Sequence, residues 1–352
     1  MDQSEDARPR LAEGPTLSVV VVTHDSRAAL PKTLAALLSE LRPGDELIVC
    51  DNASADGTPE LVRDLAPRAV LIEPGTNLGF AAGCNRAAAS ARGELLLLLN
   101  PDNVVAPGFR DAIELPLLED RGWAAWQGLV TADGGARLNT RGGAVHFSGI
   151  AWAGGAGLPR LAAPDAPREV AFASGACLAI RREAWWELGG FSEPYFLYHE
   201  DTDLGLRLWL AGARVGIEPR ALCDHDYEFA KGAHKWRYLE RNRLATIART
   251  YPGRLLWLLA PALIATELAL LVVAGLGGWL PQKLRANVEA LRWLPRLRRE
   301  RMGIQADARI DAARFASLLG PELDSAYLGR AARSPLLRRL LGAYWRLVLR
   351  LL

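Results

Sequence analysis

Five leucines, Leu95–Leu99, run into Asn100-Pro101-Asp102-Asn103. A carboxylate on a proline-containing turn at the end of a buried strand projects from the sheet. There it can hold a hard divalent cation that also binds a diphosphate, since Mg²⁺ and Mn²⁺ favour oxygen ligands and need few protein groups. A capped turn accounts for the same residues. Further on, Glu200, Asp201 and Asp203 crowd into one helical turn behind Phe196-Leu197-Tyr198-His199. The helix macrodipole explains one or two acids there. A cluster behind an apolar, aromatic stretch points instead to partial burial, which raises a carboxyl pKa and suits a general base. Asp51-Asn52 closes another apolar run, where a carboxylate either reaches ribose hydroxyls and base edges or caps a turn. His225, in Cys-Asp-His-Asp-Tyr, offers an imidazole ligand or a structural ring. In Asn77–Asn85, Gly79 and Gly83 mark places where a backbone passes close to something. No G-x-G-x-x-G follows any strand, which weighs against dinucleotide binding.

These groups need elements that bring them to one edge. Leu17–Thr23 is a continuous β-branched run typical of a strand buried on both faces. The pattern predicts a helix around Arg27–Leu41, a strand over Glu46–Asn52, a helix from Gly57, a short strand at Ala69–Glu73, a helix over Gly79–Ala91 and a strand over Glu94–Asn100. Strands alternating with helices through short turns imply βαβ units and a parallel sheet, with ligands beyond the strands' carboxyl ends. Trp123–Val170, rich in Gly, Ala and Trp, fits loops and antiparallel strands. Ser174–Phe191 reads as a strand running into a short helix ended by Gly189-Gly190. His199–Gly212 and Ala233–Tyr251 read as helices.

The chain has 352 residues, 50% apolar and 23% charged, enough for one large domain or two ordinary ones and too apolar for disorder. Its four cysteines, Cys50, Cys84, Cys177 and Cys223, never form C-x-x-C, so neither a disulfide scaffold nor a structural zinc site is expected. Residues 1–15 are polar, read as flexible, and have no apolar segment of the kind a cleaved secretory signal needs. No repeat period is visible, which excludes solenoids.

In order and spacing, VVVVTHDS, VCDNASADGT, NLGFAAGCN, LLLLNPDN, SGACLAIRREAWWELGGF and FLYHEDTDLGLRLWLAG resemble family 2 inverting glycosyltransferases, and especially their rhamnosyltransferase-like branch. The likeness runs from Leu17 to His225. It implies a glycosyltransferase A-type, Rossmann-like α/β fold with a mostly parallel sheet flanked by helices. It further implies that Thr23, Asp25 and Asp51 contact the nucleotide, with Asn77 and Gly79 nearby. Asp102 stands where the last acid of the family's D-x-D motif coordinates a Mg²⁺ or Mn²⁺ that bridges the donor diphosphate. Asp201 matches the catalytic base, with Glu200 beside it, and His225 a late metal-binding histidine. Asn100 replaces the usual first acid of D-x-D. The Q-x-x-R-W motif of processive synthases is missing before the apolar run, and Arg292-Trp293 lies beyond it, which implies transfer of one or a few sugars. The implied donor is a dTDP- or UDP-linked sugar, with rhamnose favoured. A catalytically inactive scaffold and a sugar-nucleotide nucleotidyltransferase are the rival readings; the latter would need a Gly-rich N-terminal phosphate loop followed by Lys.

The C-terminal part has a different character. Leu255–Leu280 carries one charge, Glu267, and one internal proline, Pro261. From Pro281 onward, 15 Lys and Arg face 6 Asp and Glu, a local net of +9 that leaves −7 for the rest of a chain whose total is +2. A basic segment behind an apolar one points to anionic membrane lipids and not to nucleic acid. Basic residues flank the apolar run on both sides, Arg241, Arg243, Arg249 and Arg254 before it and Lys283, Arg285, Arg292 and Arg296 after. With the mid-segment acid, this favours a broken, re-entrant or in-plane element over a single span. The ending, Ser334–Leu352, reads as an interfacial amphipathic helix. The expected division is therefore a catalytic domain over 16–252 and a membrane-associated helical region over 253–352, at the cytoplasmic face, with a glycan or polyprenyl-linked acceptor. On that division, removing residues from Arg254 onward releases a soluble domain.

Overall fold

In β1 (Leu17–Thr23) successive side chains point to opposite faces, and both faces are apolar. Leu17, Val19 and Val21 enter one buried cluster, and Val20 and Val22 another. The same division runs through Leu95–Leu99, whose odd and even leucines go to opposite layers. The computed structural model describes residues 14–225, 232, 234–323 and 334–352. Most of the loose N-terminus expected over 1–15 lies outside the described residues.

After β1 come α1 (Leu30–Glu40), β2 (Glu46–Asp51), α2 (Thr58–Leu65), β3 (Val70–Ile72), α3 (Gly79–Ala88), β4 (Leu95–Leu99), β5 (Val104–Val105) and α4 (Phe109–Leu118). Then follow β6 (Trp123–Ala132), β7 (Arg137–Thr140), β8 (Gly143–Val145), β9 (Ala151–Ala153), β10 (Arg168–Glu169), β11 (Cys177–Arg181), α5 (Arg182–Glu187), α6 (Glu200–Leu210) and β12 (Arg214–Asp224). The chain closes with α7 (His234–Thr250), α8 (Gly253–Leu276), α9 (Leu280–Ala306), α10 (Ala312–Ala316) and α11 (Pro335–Leu351).

The main sheet has the order β10-β12-β6-β11-β4-β1-β2-β3. β1 runs parallel to β2 and β4, and β2 parallel to β3, as the βαβ pattern requires. β11 enters antiparallel between β4 and β6, so its start, Cys177, lies opposite Leu99. The carboxyl ends of β1, β2 and β4 and the amino end of β11 therefore share one edge.

A third cluster joins Phe147, Leu206 and Leu210 to Leu255, Leu259, Phe315 and Trp345. The soluble domain expected on removal from Arg254 onward meets an obstacle here, because those last four residues complete this core. The apolar run also differs in detail from the expectation. α8 is continuous through Pro261, and the turn comes at Gly277-Gly278, where Gly278 has φ +74°. One internal proline costs a helix about 3 kcal/mol, which leucine- and alanine-rich surroundings can offset. A positive φ ends the helix outright.

Candidate functional site

Thr23 and Asp51 are paired across β1 and β2, and the Thr23 hydroxyl donates to Asp51 Oδ1 at 2.7 Å. The same carboxylate accepts from the Ser54 amide at 2.9 Å and the Ser54 hydroxyl at 2.6 Å, so it also caps the turn that follows. Asp25, at φ +50°, accepts from the Ala55 amide at 2.8 Å. Asn77 caps the start of α3 by accepting from the Gly79 amide at 2.9 Å. The five residues expected around a nucleotide thus line three adjoining turns, after β1, after β2 and before α3, with Asn52 joining the last two through bonds to Gly79 and Leu78. The close approach at Gly79 is to Phe196: a Cβ at this φ of +82° would lie 2.5 Å from both the Phe196 ring and its carbonyl oxygen. At Gly83 the neighbours are Val22 and Asn52.

Asp102 lies just past β4, and His225 just past β12. The sheet brings them together, with His225 Nε2 3.0 Å from Asp102 Oδ1 and 3.4 Å from Asn100 Nδ2. On its other side the ring meets Asn139 of β7, whose Nδ2 lies 3.3 Å from Nδ1 and donates to the His225 carbonyl at 2.8 Å. The carboxylate oxygen suits Mn²⁺ or Mg²⁺, whereas the imidazole nitrogen facing it suits only a cation that also takes nitrogen, which favours Mn²⁺ of the two. Among the described residues no group of three or more His, Cys, Asp and Glu side chains completes a protein-only cage. Such a pair leaves coordination positions for diphosphate oxygens and water.

Asp201 and Glu200 open α6. Asp201 accepts from the Gly175 amide at 3.1 Å and from the Thr202 amide at 2.7 Å. Burial raises its pKa, and these donors hold the rise in check. Glu200 is buried and its Oε2 has no hydrogen-bond partner. Burial, then the charge of Asp201, pushes Glu200 well above the ordinary carboxyl range. Both shifts run upward and that of Glu200 is the larger, so of the two carboxyls Asp201 gives up its proton more readily. Asp203, the third acid of the turn, belongs elsewhere. It pairs with Arg207 at 2.7 Å and Arg249 at 3.0 Å and is structural.

The segment before this pair holds Phe196, Tyr198 and His199 at φ between +64° and +68°, a conformation that costs about 1–3 kcal/mol for each non-glycine residue. Two α7 side chains hold it. Asn242 donates from Nδ2 to the carbonyls of Tyr195, Leu197 and Tyr198 at 3.0, 2.9 and 2.7 Å. Arg241 donates from Nη2 to those of Pro194 and Tyr195 at 3.0 and 2.9 Å. Asn242 did not stand out in the sequence, and Arg241 did so only as one of the basic residues before the apolar run. The only further signal was an Arg-Asn-Arg run inside a helix. The next arginine, Arg243, joins Glu240 of α7, Glu267 of α8 and Lys283 of α9 in a buried network.

The chain is similar to known proteins in sequence and in fold. Residues 18–189 match the sequence model of glycosyl transferase family 2. The chain is 29% identical over 255 residues to the N-acetylglucosaminyl-diphospho-decaprenol L-rhamnosyltransferase of Mycobacterium tuberculosis, covering 65% of this chain and 82% of that protein. A shorter stretch of 86 residues is 34% identical to the rhamnosyltransferase WbbL of Escherichia coli, covering 21% and 33% of the two chains. Among solved structures, GalNAc-T7 with UDP, GalNAc and Mn²⁺ superposes with a TM-score of 0.56 at 18% identity, over 69% of this chain and about half, 49%, of that one. Staphylococcus aureus TarS with UDP-GlcNAc superposes at 0.50 and 14% identity, over 95% and 90%. At these identities the structural likeness shows the fold.

Proposed function

We propose that this chain is a rhamnosyltransferase-like glycosyltransferase of family 2 and moves a sugar with inversion from a nucleoside-diphosphate donor to a hydroxyl of a lipid-linked or glycan acceptor, a reading supported by its sequence likenesses. The process it serves is cell-envelope polysaccharide synthesis. Rhamnose from a dTDP-linked donor is the favoured sugar, and a UDP-linked sugar is the second choice. The observation that carries the reading is the convergence of Asp51, Asp102, His225 and the Glu200-Asp201 pair on one edge of the sheet.

Thr23, Asp25 and Asp51 line the turns that receive the nucleotide, and Asn77 and Gly79 border them. Asp102 and His225 would hold a divalent cation, which neutralises the charge developing on a departing diphosphate. Asp201, ionised and oriented by Gly175 and Thr202, takes the proton from the acceptor hydroxyl as its oxygen bonds the anomeric carbon from the face opposite the diphosphate. Glu200, protonated, adds no second negative charge beside it. One base suffices, whereas a glycosidase uses two carboxylates flanking the bond.

The membrane seat is supported by α8. Its 24 residues at a rise of about 1.5 Å each would cross a hydrocarbon core of about 30 Å. Leu255 and Leu259 near one end and Ala274 near the other are buried in the protein, and Glu267 in the middle is paired with Arg243 and Lys283. A perpendicular span would draw α7 into the hydrocarbon. The outward residues Ile264, Leu268, Val272 and Leu276 recur every four positions and are 61–88% exposed, so α8 suits an in-plane position at the cytoplasmic leaflet.

The test uses purified full-length protein with a panel of nucleotide sugars and a prenyl-diphosphate-linked acceptor, reading released nucleoside diphosphate and the anomeric configuration of the product. Inverted product, with turnover lowered about 10²–10⁴-fold in Asp201→Asn, is the expected result. Full activity in that variant removes the base assignment, and no transfer from any donor favours an inactive scaffold.

A further inference from the structure

A cavity of about 610 Å³ lies between β7 and β9 on one side and the α7–α8–α9 layer on the other. We propose that it seats the prenyl-diphosphate part of the acceptor, with the diphosphate at Lys235 and the first isoprene units between Trp236, Trp279, Leu270 and Val273. The assignment rests on the reading of the chain as a glycosyltransferase with a lipid-linked acceptor.

Position comes first. One wall is Tyr198-His199, directly before Glu200-Asp201, and another includes Asn139, which is bonded to His225. The cavity thus adjoins both the base and the cation pair. Its outer wall is the inner side of α8, Leu270 and Val273, with Gly277 and Trp279 at the turn. The opposite side of that helix is the exposed apolar face, so a chain entering from a leaflet reaches the cavity along one helix without crossing water.

Chemistry comes next. The lining is mostly apolar, as sites for hydrophobic ligands are. Trp236 and Trp279 stack with ring centroids 4.7 Å apart, forming a flat apolar wall. The charged residues along the described lining, Asp133, Arg137, Lys235, Glu240 and Arg243, sum formally to one net positive charge. The Lys235 ammonium lies 5.1 Å from the Trp236 ring centroid, beside the apolar wall. An apolar slot whose charged lining is net positive matches an isoprenoid that ends in a diphosphate.

Two measurements test this on the full-length protein in detergent. Val273→Trp fills the slot, and Lys235→Gln removes the cation. Each should raise KM for a prenyl-diphosphate-linked sugar about tenfold and leave the donor KM within about twofold. An unchanged acceptor KM in both variants overturns the assignment. The second measurement labels the protein with a benzophenone-bearing farnesyl diphosphate and maps the adducts. Adducts on Trp236, Leu270 or Trp279 that disappear in Val273→Trp support the site. Adducts confined to Leu268, Val272 and Leu276 and indifferent to the variant indicate ordinary lipid partitioning and overturn it. The labelling needs no turnover, so it judges the cavity even where sugar transfer itself fails.

Discussion

Asn242 Nδ2 lies 2.7 Å from the carbonyl oxygen of Tyr198, one residue from His199 and two from Glu200. Through this contact α7 fixes the backbone that leads into Asp201, the proposed base. Asn242→Ala leaves three carbonyls without that donor, and an orphaned buried polar group costs about 1–3 kcal/mol. The expected outcome is a lower Tm and a kcat reduced about tenfold or more, with the donor KM little changed. The acid limb of kcat should also move down, as a loosened segment admits water to Asp201. A variant with a lower Tm but wild-type kcat and pH profile would make Asn242 structural only.

Glu200→Gln imitates the protonated acid, so activity should stay within a few-fold of wild type. Its effect on stability depends on pH. The native carboxyl holds its proton well above the ordinary value of 4.5, while the unfolded chain releases it near that value. Above 4.5 the unfolded state therefore binds fewer protons, and wild-type stability falls as pH rises. The glutamine variant lacks this loss. Its advantage in Tm should widen as pH rises above 4.5, and calorimetry at several pH values reads it directly. A constant difference would mean that Glu200 is ionised in the native protein.

Asp102→Ala should abolish turnover. In His225→Ala a cation is still held by Asp102 but less tightly, so the Mn²⁺ concentration for half-maximal activity should rise about 10–100-fold. Titrating each variant with Mn²⁺ and Mg²⁺ after chelation checks this. Undiminished wild-type activity in excess chelator is the contrary result.

Lys283 and Arg243 together balance Glu240 and Glu267. Burial alone would raise the Glu240 pKa, but the charges of Arg243 and Lys283 outweigh it and hold it at about 2. This stabilisation is present above the unfolded value of 4.5 and is lost as pH falls toward 2. Lys283→Met leaves two buried carboxylates to one cation and should cost about 3–5 kcal/mol in urea unfolding. Adding Glu267→Gln should restore part of it, a coupling that a double-mutant cycle measures.

The parallel half of the fold was legible because β1 and β4 advertise burial on both faces and their connecting helices are amphipathic. Asp102 and His225 were legible one at a time, as polar residues ending apolar strands, and the family likeness proposed both as cation ligands. Their 3.0 Å approach depends on β12 and β4 ending on the same edge, which no local pattern states. The clamp and the ionic network were hidden for a related reason. Lys283 meets Glu240 across 43 residues and Glu267 across 16, so each charge looks solvated until its partner is placed. The composition shift near Arg254 marks a change of surroundings, while Leu255 and Leu259 share a core with Phe147, a contact that composition does not state.

The attachment of α8 at both ends and at Glu267 sets a scale for the reaction. On the proposed seating of that helix in the leaflet, Asp201 would stand at a constant height above the lipid plane, and the hydroxyl of a lipid-linked acceptor would have to present itself at that height. Each sugar already carried by such a lipid would lift the next free hydroxyl further out. The protein would then act as a ruler, extending acceptors of one length and passing over its own product, with no separate device for stopping.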